Sequence, residues 1–410
     1  MRTPRTSTVA ALATGCLLLA GCGATTSSDD SGDTASTEGG GSSEPLAVGA
    51  VLPLSGAGAY FGVAGRKGIE LAVEQINADG GINGSPISVN FSDSQCSPLG
   101  SKQAAEKVIA DGANAIIGDE CSSATLGMMP VIEEEEIPGV TPGSSALAIT
   151  DPGNPWMFRI MPNEVMQGAD LAAKSAEEMG AKTAVILHEN TDAGIGNAEV
   201  FKEFFEEDGG KVLDVIGFDR EVQDFTSIAT RVAALGDVDV IPTYTLEGQG
   251  VNITNSLAQA RVTKGGGGEA VQISTIWLPI GFEEKVAPGA AEGFVRIVQF
   301  DPNDPNDAAK QFLEDFKAKF NEVPNHISAH AYDALMVIAE AAKSQESTAP
   351  ADIQAGLVEM DGFNGVTGTV SFAENDEPTC SCPNEQQNIE MDTIHYVQTQ
   401  PDGSLVSLDW

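Results

Sequence analysis

The chain has 410 residues and carries 60 Asp and Glu against 21 Lys and Arg, a formal net charge of −39. That acid excess makes nucleic acid and anionic membrane surfaces poor partners. The length is enough for two lobes with separate cores, and after the N-terminal apolar stretch no run reaches the roughly 18–20 residues that cross a bilayer.

The N-terminus reads as an address. Arg2 and Arg5 precede an apolar run over residues 9–19, followed by Leu19-Ala20-Gly21-Cys22. Charged start, short apolar middle and small residues before the cut are secretory-signal grammar. A cut directly before a Cys, rather than after Ala-x-Ala, resembles a bacterial lipoprotein signal, which would place lipid on the amine and thiol of Cys22. Residues 1–21 are then a signal peptide. Residues 22–45, mostly Ser, Thr, Gly, Asp and Glu, hold too little apolar surface to fold and read as a flexible tether.

From residue 46 strand and helix patterns alternate. An apolar strand over 46–52 is followed by the Gly-rich turn Gly56-Ala57-Gly58-Ala59-Tyr60-Phe61-Gly62 and a helix with Ile69, Ala72, Val73 and Ile76 on one face. Gly80-Gly81 stops that helix. Strands are expected over 87–91, 115–117 and 139–141, with helices over 98–111 and 123–134. The four glutamates at 133–136 read as a solvated face. The pattern restarts after residues 159–162 with helices over 164–179, 196–207, 225–235 and 251–260 between strands at 183–187, 212–218, 238–243 and 272–277. Residues 265–268 read as a mobile loop and residues 293–300 as a connecting strand. Helices over 308–321, 328–344 and 350–359 come next, then short strands at 368–372 and 393–397. Strands separated by helices imply parallel sheets covered on both faces, and ligands of such sheets bind beyond the carboxyl ends of the strands.

Few motifs carry chemistry. The Gly56–Gly62 turn has the context of a dinucleotide fingerprint, but Phe61 stands where the third glycine belongs, so it reads as a loop opening onto a ligand cleft. There is no G-x-S-x-G elbow and no zinc spacing among His188, His326, His330 and His395. His326 and His330 read as ordinary polar residues at a helix start. Residues 301–307 are oxygen-rich but lack the glycine and final Glu of a calcium loop and read as a capped turn. No catalytic residue, metal or cofactor is expected, and a secreted hydrolase has no readable nucleophile.

Once the signal is removed and Cys22 takes lipid, Cys96, Cys121, Cys380 and Cys382 remain, an even number in an oxidising compartment. Three pairings are open. Cys96 with Cys121 is the expected one and closes a loop worth roughly 3–4 kcal/mol on the chain-entropy estimate. Cys380 with Cys382 would form a small strained bridge. Two loops look built for binding. Cys121-Ser122-Ser123 opens a helix after a strand and offers hydroxyls and free N–H groups to an anion. Thr141-Pro142-Gly143-Ser144-Ser145 follows the next strand end and offers carbonyl and hydroxyl acceptors.

These residues resemble a known family. The strand over 48–54, the Gly-rich residues 55–62, the helix with Gly68-Ile69-Glu70-Leu71-Ala72 running to Asn77, Gly80-Gly81-Ile82-Asn83-Gly84 and the two Ser loops are similar to the type I periplasmic binding proteins. The nearest branch is the leucine/isoleucine/valine-binding proteins of branched-chain amino-acid ABC importers. The resemblance runs over roughly residues 46–408 and is strongest before 170. It implies an α/β Venus-flytrap of two lobes joined by three crossovers, with residues 46–161 and 300–366 forming one lobe and 162–299 and 367–410 the other.

Carried over by position, Ser122 and Ser123 would hold a ligand carboxylate, and the Gly143 carbonyl and Ser145 hydroxyl its ammonium, with Tyr60 and Ser144 in the same loops. Phe61 would be the aromatic wall of the first lobe and Tyr244 that of the second, with Trp277 lining the cleft. Ala193 stands where an aromatic is usual and enlarges the pocket. The acid expected near residues 278–281 is missing, leaving Glu247, Asp192 or Glu120 as substitutes for an amino-acid ligand, or else an amide or a small carboxylate as the ligand. The expected protein is a monomeric, lipid-anchored solute receptor on the outer face of the cell membrane that delivers its ligand to an ABC permease with ATPase subunits. The alternative is a sensor subunit of the same fold that signals without transport.

Overall fold

The computed structural model describes residues 45–150, 153–262, 270–275, 278, 281–300, 306–372, 394–408 and 410. The expected signal, Cys22, the tether, the 265–268 loop, Trp277, Cys380 and Cys382 lie outside the described residues.

The first lobe starts with β1 (Ala47–Leu52), α1 (Ala59–Ala78), β2 (Ser88–Asp93), α2 (Pro98–Ala110), β3 (Ala115–Gly118), α3 (Ser122–Glu135), β4 (Gly139–Thr141) and β5 (Met157–Arg159). Its sheet runs β2-β1-β3-β4-β5 with every pair parallel. The inner strand β1 is buried on both faces. Val48, Ala50 and Leu52 join one core and Val51 the other, the period-2 split of a sheet covered on both sides. Gly49 lets α2 settle close, since a Cβ there would lie 2.4 Å from Val108. Ser97 caps α2 by accepting from the Gly100 N–H. Three of the four glutamates at 133–136 close α3, all four are exposed, and Glu136 ends the helix in the left-handed region.

The second lobe follows with α4 (Glu164–Glu177), β6 (Thr183–Glu189), α5 (Asp192–Glu207), β7 (Lys211–Phe218), α6 (Thr226–Ala234), β8 (Val240–Tyr244), α7 (Glu247–Ala260), β9 (Val271–Ser274) and β10 (Val295–Val298). The chain then returns to the first lobe. Phe300 and helices α8 (Asp307–Phe320), α9 (His326–Ser344) and α10 (Pro350–Val358) pack into its core, where Phe312 meets Phe300, Phe316 and Tyr332. Each such ring taken from water contributes roughly 1.5–3 kcal/mol. A short ladder, β11 (Phe363–Asn364) with β12 (Thr369–Val370), stays with this lobe.

Finally β13 (His395–Thr399) and β14 (Leu405–Leu408) add antiparallel edges to the second sheet, whose order is β14-β13-β10-β9-β8-β6-β7. The fold is therefore two parallel-rich sheets flanked by helices, one per lobe.

Three readings shift. Val370 and Phe372 pack in the first lobe's core, so that lobe extends past the expected limit at 366. The strand expected over 293–300 is β10 within the second sheet, not a free connector. Strand β14 was not expected, because its residues are half exposed and mixed in polarity. Ile160 belongs to one core and Met161 to the other, so the first crossing between lobes falls between them. Among the described residues no helix is long and apolar enough to cross a membrane.

Candidate functional site

The carboxyl ends of β1, β2, β3 and β4 release four loops on one edge of the first lobe. A Cys96–Cys121 disulfide, with Cα atoms 5.5 Å apart, ties the loop after β2 to that after β3. Gly58, at the start of α1, packs against it, for a Cβ there would lie 2.9 Å from the Cys96 Cβ.

The loops after β3 and β4 are knit together by hydroxyls. The Asp119 carbonyl accepts from Thr141 Oγ1 at 2.7 Å and from Ser144 Oγ at 2.9 Å, and Thr125 Oγ1 lies 2.7 Å from Ser144 Oγ. Arg159 is buried behind the second loop and donates to the Ala146 carbonyl at 2.7 Å and to Thr150 Oγ1 at 2.6 Å. Burial lowers its guanidinium to about 10. The Ala146 N–H donates to Ser122 Oγ at 3.2 Å, and the Glu164 N–H to the Ser145 carbonyl at 2.8 Å.

These bonds fix Ser122, Ser123, Gly143 and Ser145 around a cavity without using all their polar groups. The Cys121 N-cap makes no side-chain cap, its sulfur being held in the disulfide. The first N–H groups of α3 accordingly have no partner inside the helix.

The cavity lies between the lobes, with about 50 Å³ open to the centres of water-sized molecules, room for several waters by the ~10–15 Å³ each requires. The first lobe lines it with Phe61, Glu120, Cys121, Ser122, Ser123, Gly143 and Ser145, the second with Thr191, Ala193, Arg220 and Leu246. Thr191 caps α5 by accepting from the Gly194 N–H, which fixes Ala193 at the wall. Glu189, at the end of β6, is fully buried and organises the rest. Its carboxylate accepts from Arg220 Nε at 3.2 Å, from Thr245 Oγ1 at 3.2 Å and from the Leu246 N–H at 3.3 Å. Arg220 then crosses the cleft, Nη1 donating to the Cys96 carbonyl at 3.3 Å. Gln249 holds this turn through the carbonyls of Asp219, Arg220 and Val222.

Of the expected contacts, Phe61, Ser122, Ser123, Gly143, Ser145 and Ala193 come together at this cavity, and of the substitute acids Glu120 does. The other described candidates lie elsewhere. Ser144 is buried and spent on the Asp119 carbonyl. Tyr60 accepts from Asn325 and lines a separate groove beside α1 and α8, with Lys285 above its ring at 5.6 Å. Glu247 pairs with Lys285 at 2.6 Å. Asp192 is exposed at the first turn of α5. Tyr244 is fully buried in the second lobe's core with Phe201, Phe205 and Tyr396, so Leu246, two residues on, reaches the cavity instead. His326 and His330 do sit at the start of α9 but are buried there, and burial holds them down at about 3 and about 4.

Three lining residues were absent from the sequence reading: Thr191, Arg220 and Leu246. Their signal was positional, each falling one or two residues beyond a second-lobe strand.

Two buried acids flank the β3 loop. Burial pushes Asp119 up to about 7. Glu120 is raised well above the usual carboxylate range, by burial first and by Asp119 second. Among the described residues no group of His, Cys, Asp and Glu could hold a metal ion.

Comparison with known proteins agrees with this architecture. A profile of the periplasmic binding protein family matches residues 45–382. A leucine-, isoleucine-, valine-, threonine- and alanine-binding protein of Pseudomonas aeruginosa is 28% identical over 326 residues, 78% of this chain and 84% of its own length. The crystal structure of a leucine-binding protein from Thermotoga maritima matches with a TM-score of 0.78 at 23% identity, covering 88% of this chain and 97% of the other. A benzoate-bound solute-binding protein of an ABC transporter from R. palustris matches with a TM-score of 0.77 at 22% identity, covering 89% and 95%. Two sheets facing one cavity, with the profile spanning most of the sequence, make the chain a member of the periplasmic binding protein family.

Proposed function

We propose that this chain is an extracytoplasmic solute receptor that captures one small amino-acid-like ligand between its lobes and delivers it to an ABC permease. The observation that carries the reading is the make-up of the inter-lobe cavity. One wall has Ser122 and Ser123 at the N-terminus of α3 with Gly143 and Ser145 beside them, while the other is closed by Thr191, Ala193, Arg220 and Leu246. A helix N-terminus suits a carboxylate, a carbonyl and a hydroxyl suit a donor, and Phe61 and Leu246 suit an aliphatic or aromatic body. The small Ala193 side chain leaves room for that body. Relatives whose names specify leucine, isoleucine, valine, threonine or alanine, and a fold-mate bound to benzoate, support a ligand of this size.

The mechanism is conformational. A ligand that touches both walls binds the closed arrangement more tightly and shifts the protein toward it, and no bond is made or broken. Thermal melts against amino acids, amides and small organic acids test this. A ligand at 100 times its dissociation constant should add about 2.7 kcal/mol of stability, and Ser122→Ala with Ser145→Ala should abolish the shift in a folded protein. Retained binding by that variant would remove the site assignment.

Cys22 supplies the anchor in this reading, because a solute receptor must stay near its permease. Cells fed radioactive palmitate should label the wild-type chain and not Cys22→Ser, and label persisting on the variant would refute the anchor.

A further inference from the structure

We propose that Glu120 is the acid of this pocket, the group that balances the cationic end of the ligand, and that the ligand is therefore a zwitterion rather than a plain carboxylate. The inference rests on the solute-receptor reading above and narrows it.

The argument begins with the acid's housing. Glu120 is 5% exposed, and neither carboxylate oxygen has a hydrogen-bond partner. Two glycines make its slot. A Cβ at Gly143 would lie 2.0 Å from Glu120 Oε2, and one at Gly65 would lie 2.5 Å from Oε1. Either side chain would fill the space the carboxylate occupies. The third wall is the Ala331 methyl group, 3.4 Å from the Cβ position of Gly65. Among the described residues no cation pairs with this acid, whereas the buried Glu189 has Arg220 and two further donors.

A buried carboxylate with no partner is costly unless it takes a proton or meets a charge. Glu120 and Gly143 both line the cavity, and in the proposed function the Gly143 carbonyl accepts from a ligand amine. Carbonyl and carboxylate side by side form one acceptor cluster. The α3 N-terminus at Ser122, two residues along the chain, is the donor end. Both poles of the ligand are thus met by the first lobe, and Arg220, already committed to Glu189 and Cys96, is left to close the second lobe over it. Because burial and the neighbouring Asp119 favour the neutral acid, and Arg220 is engaged by Glu189 and the Cys96 carbonyl, an arriving ammonium should displace a proton from Glu120.

Leucine, valine, threonine and alanine, each beside its des-amino carboxylate, are titrated calorimetrically into the full chain and into Glu120→Gln. The wild type should bind at least one amino acid about 30-fold more tightly than its des-amino partner. Glu120→Gln, which keeps the shape of the slot, should lose most of that factor and bind the two nearly alike. Titration in two buffers of different ionisation heat should show up to about one proton released per ligand in the wild type and none in the variant. A ligand-free melt no lower than that of the wild type shows that the variant is folded, and Glu120→Leu repeats the test if it is not.

Undiminished discrimination in a folded variant, or wild type that takes des-amino carboxylates as tightly as amino acids, would overturn the assignment of Glu120 and leave the solute-receptor reading standing. Binding of no compound in either class by the wild type would overturn both.

Discussion

Arg220 shows how much of this site hangs on one side chain. It joins the buried Glu189 in its own lobe to the Cys96 carbonyl in the other, so it is at once wall, counter-ion and cross-cleft contact. Removing it leaves a fully buried carboxylate with two neutral donors and no cation. Arg220→Ala should therefore destabilise the protein by about 3 kcal/mol, the usual result of orphaning one partner of a buried pair. Arg220→Ala with Glu189→Gln should recover at least half of that loss and still bind ligand weakly, because the cross-cleft contact remains absent. Denaturant unfolding and a ligand titration of the three proteins check both parts, and an equal loss of stability in the double variant would place the damage elsewhere. Residues of this kind were hard to read from sequence. The Ser122 and Ser145 loops stood out because Ser and Gly cluster directly after apolar strands, a local signal. Arg220 is legible only through Glu189, 31 residues away, and through Cys96 in the other lobe. Tyr244 was misplaced for a related reason. Strand β8 is buried along its whole length, so polarity gives no hint of which face its last residue takes. The ring turns into the core around Phe201 and Phe205.

At the level of elements, the alternation of strand and helix was legible because several helices carry an apolar stripe and a glycine stop signal. Helix α1 is the best case. Ile69, Ala72 and Ile76 are buried as spaced, and Gly80 and Gly81, at φ +99° and +77°, end it in a conformation that side chains resist. What the spacing did not disclose is the use of the glycines inside α1. A Cβ at Gly68 would lie 2.0 Å from the Ser328 carbonyl oxygen, so α1 and α9 touch backbone to backbone. Gly65, one turn earlier on that face, opens the slot for the Glu120 carboxylate. Glycine in mid-helix costs roughly 0.5–1 kcal/mol against alanine, and here that cost is offset by a close helix pair and a housed acid. The elements that escaped the sequence reading are short or divided. Strand β5 has three residues, too few for periodicity to register. The boundary near 366 was set too early because a two-residue ladder, β11 with β12, carries the chain on to Val370 and Phe372 in the first lobe's core before it reaches β13 in the other sheet.

For the molecule as a whole, charge decides how stability follows pH. The surface carries most of a −39 balance, and its self-repulsion grows as carboxyls ionise. Inside, burial raises Asp119 and Glu164 to about 7 and Asp333 to about 6, and holds Glu120 well above its ordinary value. Burial also lowers His326 to about 3 and His330 to about 4. The two sets act in opposite directions. A carboxyl raised in the fold keeps a proton that the unfolded chain has given up, so its contribution is present at low pH and is lost as pH rises through the folded value. A histidine lowered in the fold stays neutral where the unfolded chain would be charged, so its contribution is present above about 6.5 and is lost as pH falls. Between pH 8 and 6.5 the carboxyls move most, and the two histidines, half charged in the unfolded chain at 6.5, take back about 0.4 kcal/mol each. Stability should rise across that window on acidification, by about 1 kcal/mol for each of Asp119 and Glu164. Below 6.5 the two histidines offset most of the continuing gain, and the curve should flatten. Screening should not erase the effect, because these acids are buried while the surface repulsion is not. Melting temperature measured from pH 5 to 8 at low and at 0.5 M salt separates the two sources. Glu164→Gln should remove about 1 kcal/mol of the rise that survives in salt. A melting temperature that climbs steadily from pH 6 to 8 would mean that these acids are ionised in the fold, and that the buried carboxyls around the cavity, Glu120 among them, have found cations within the protein.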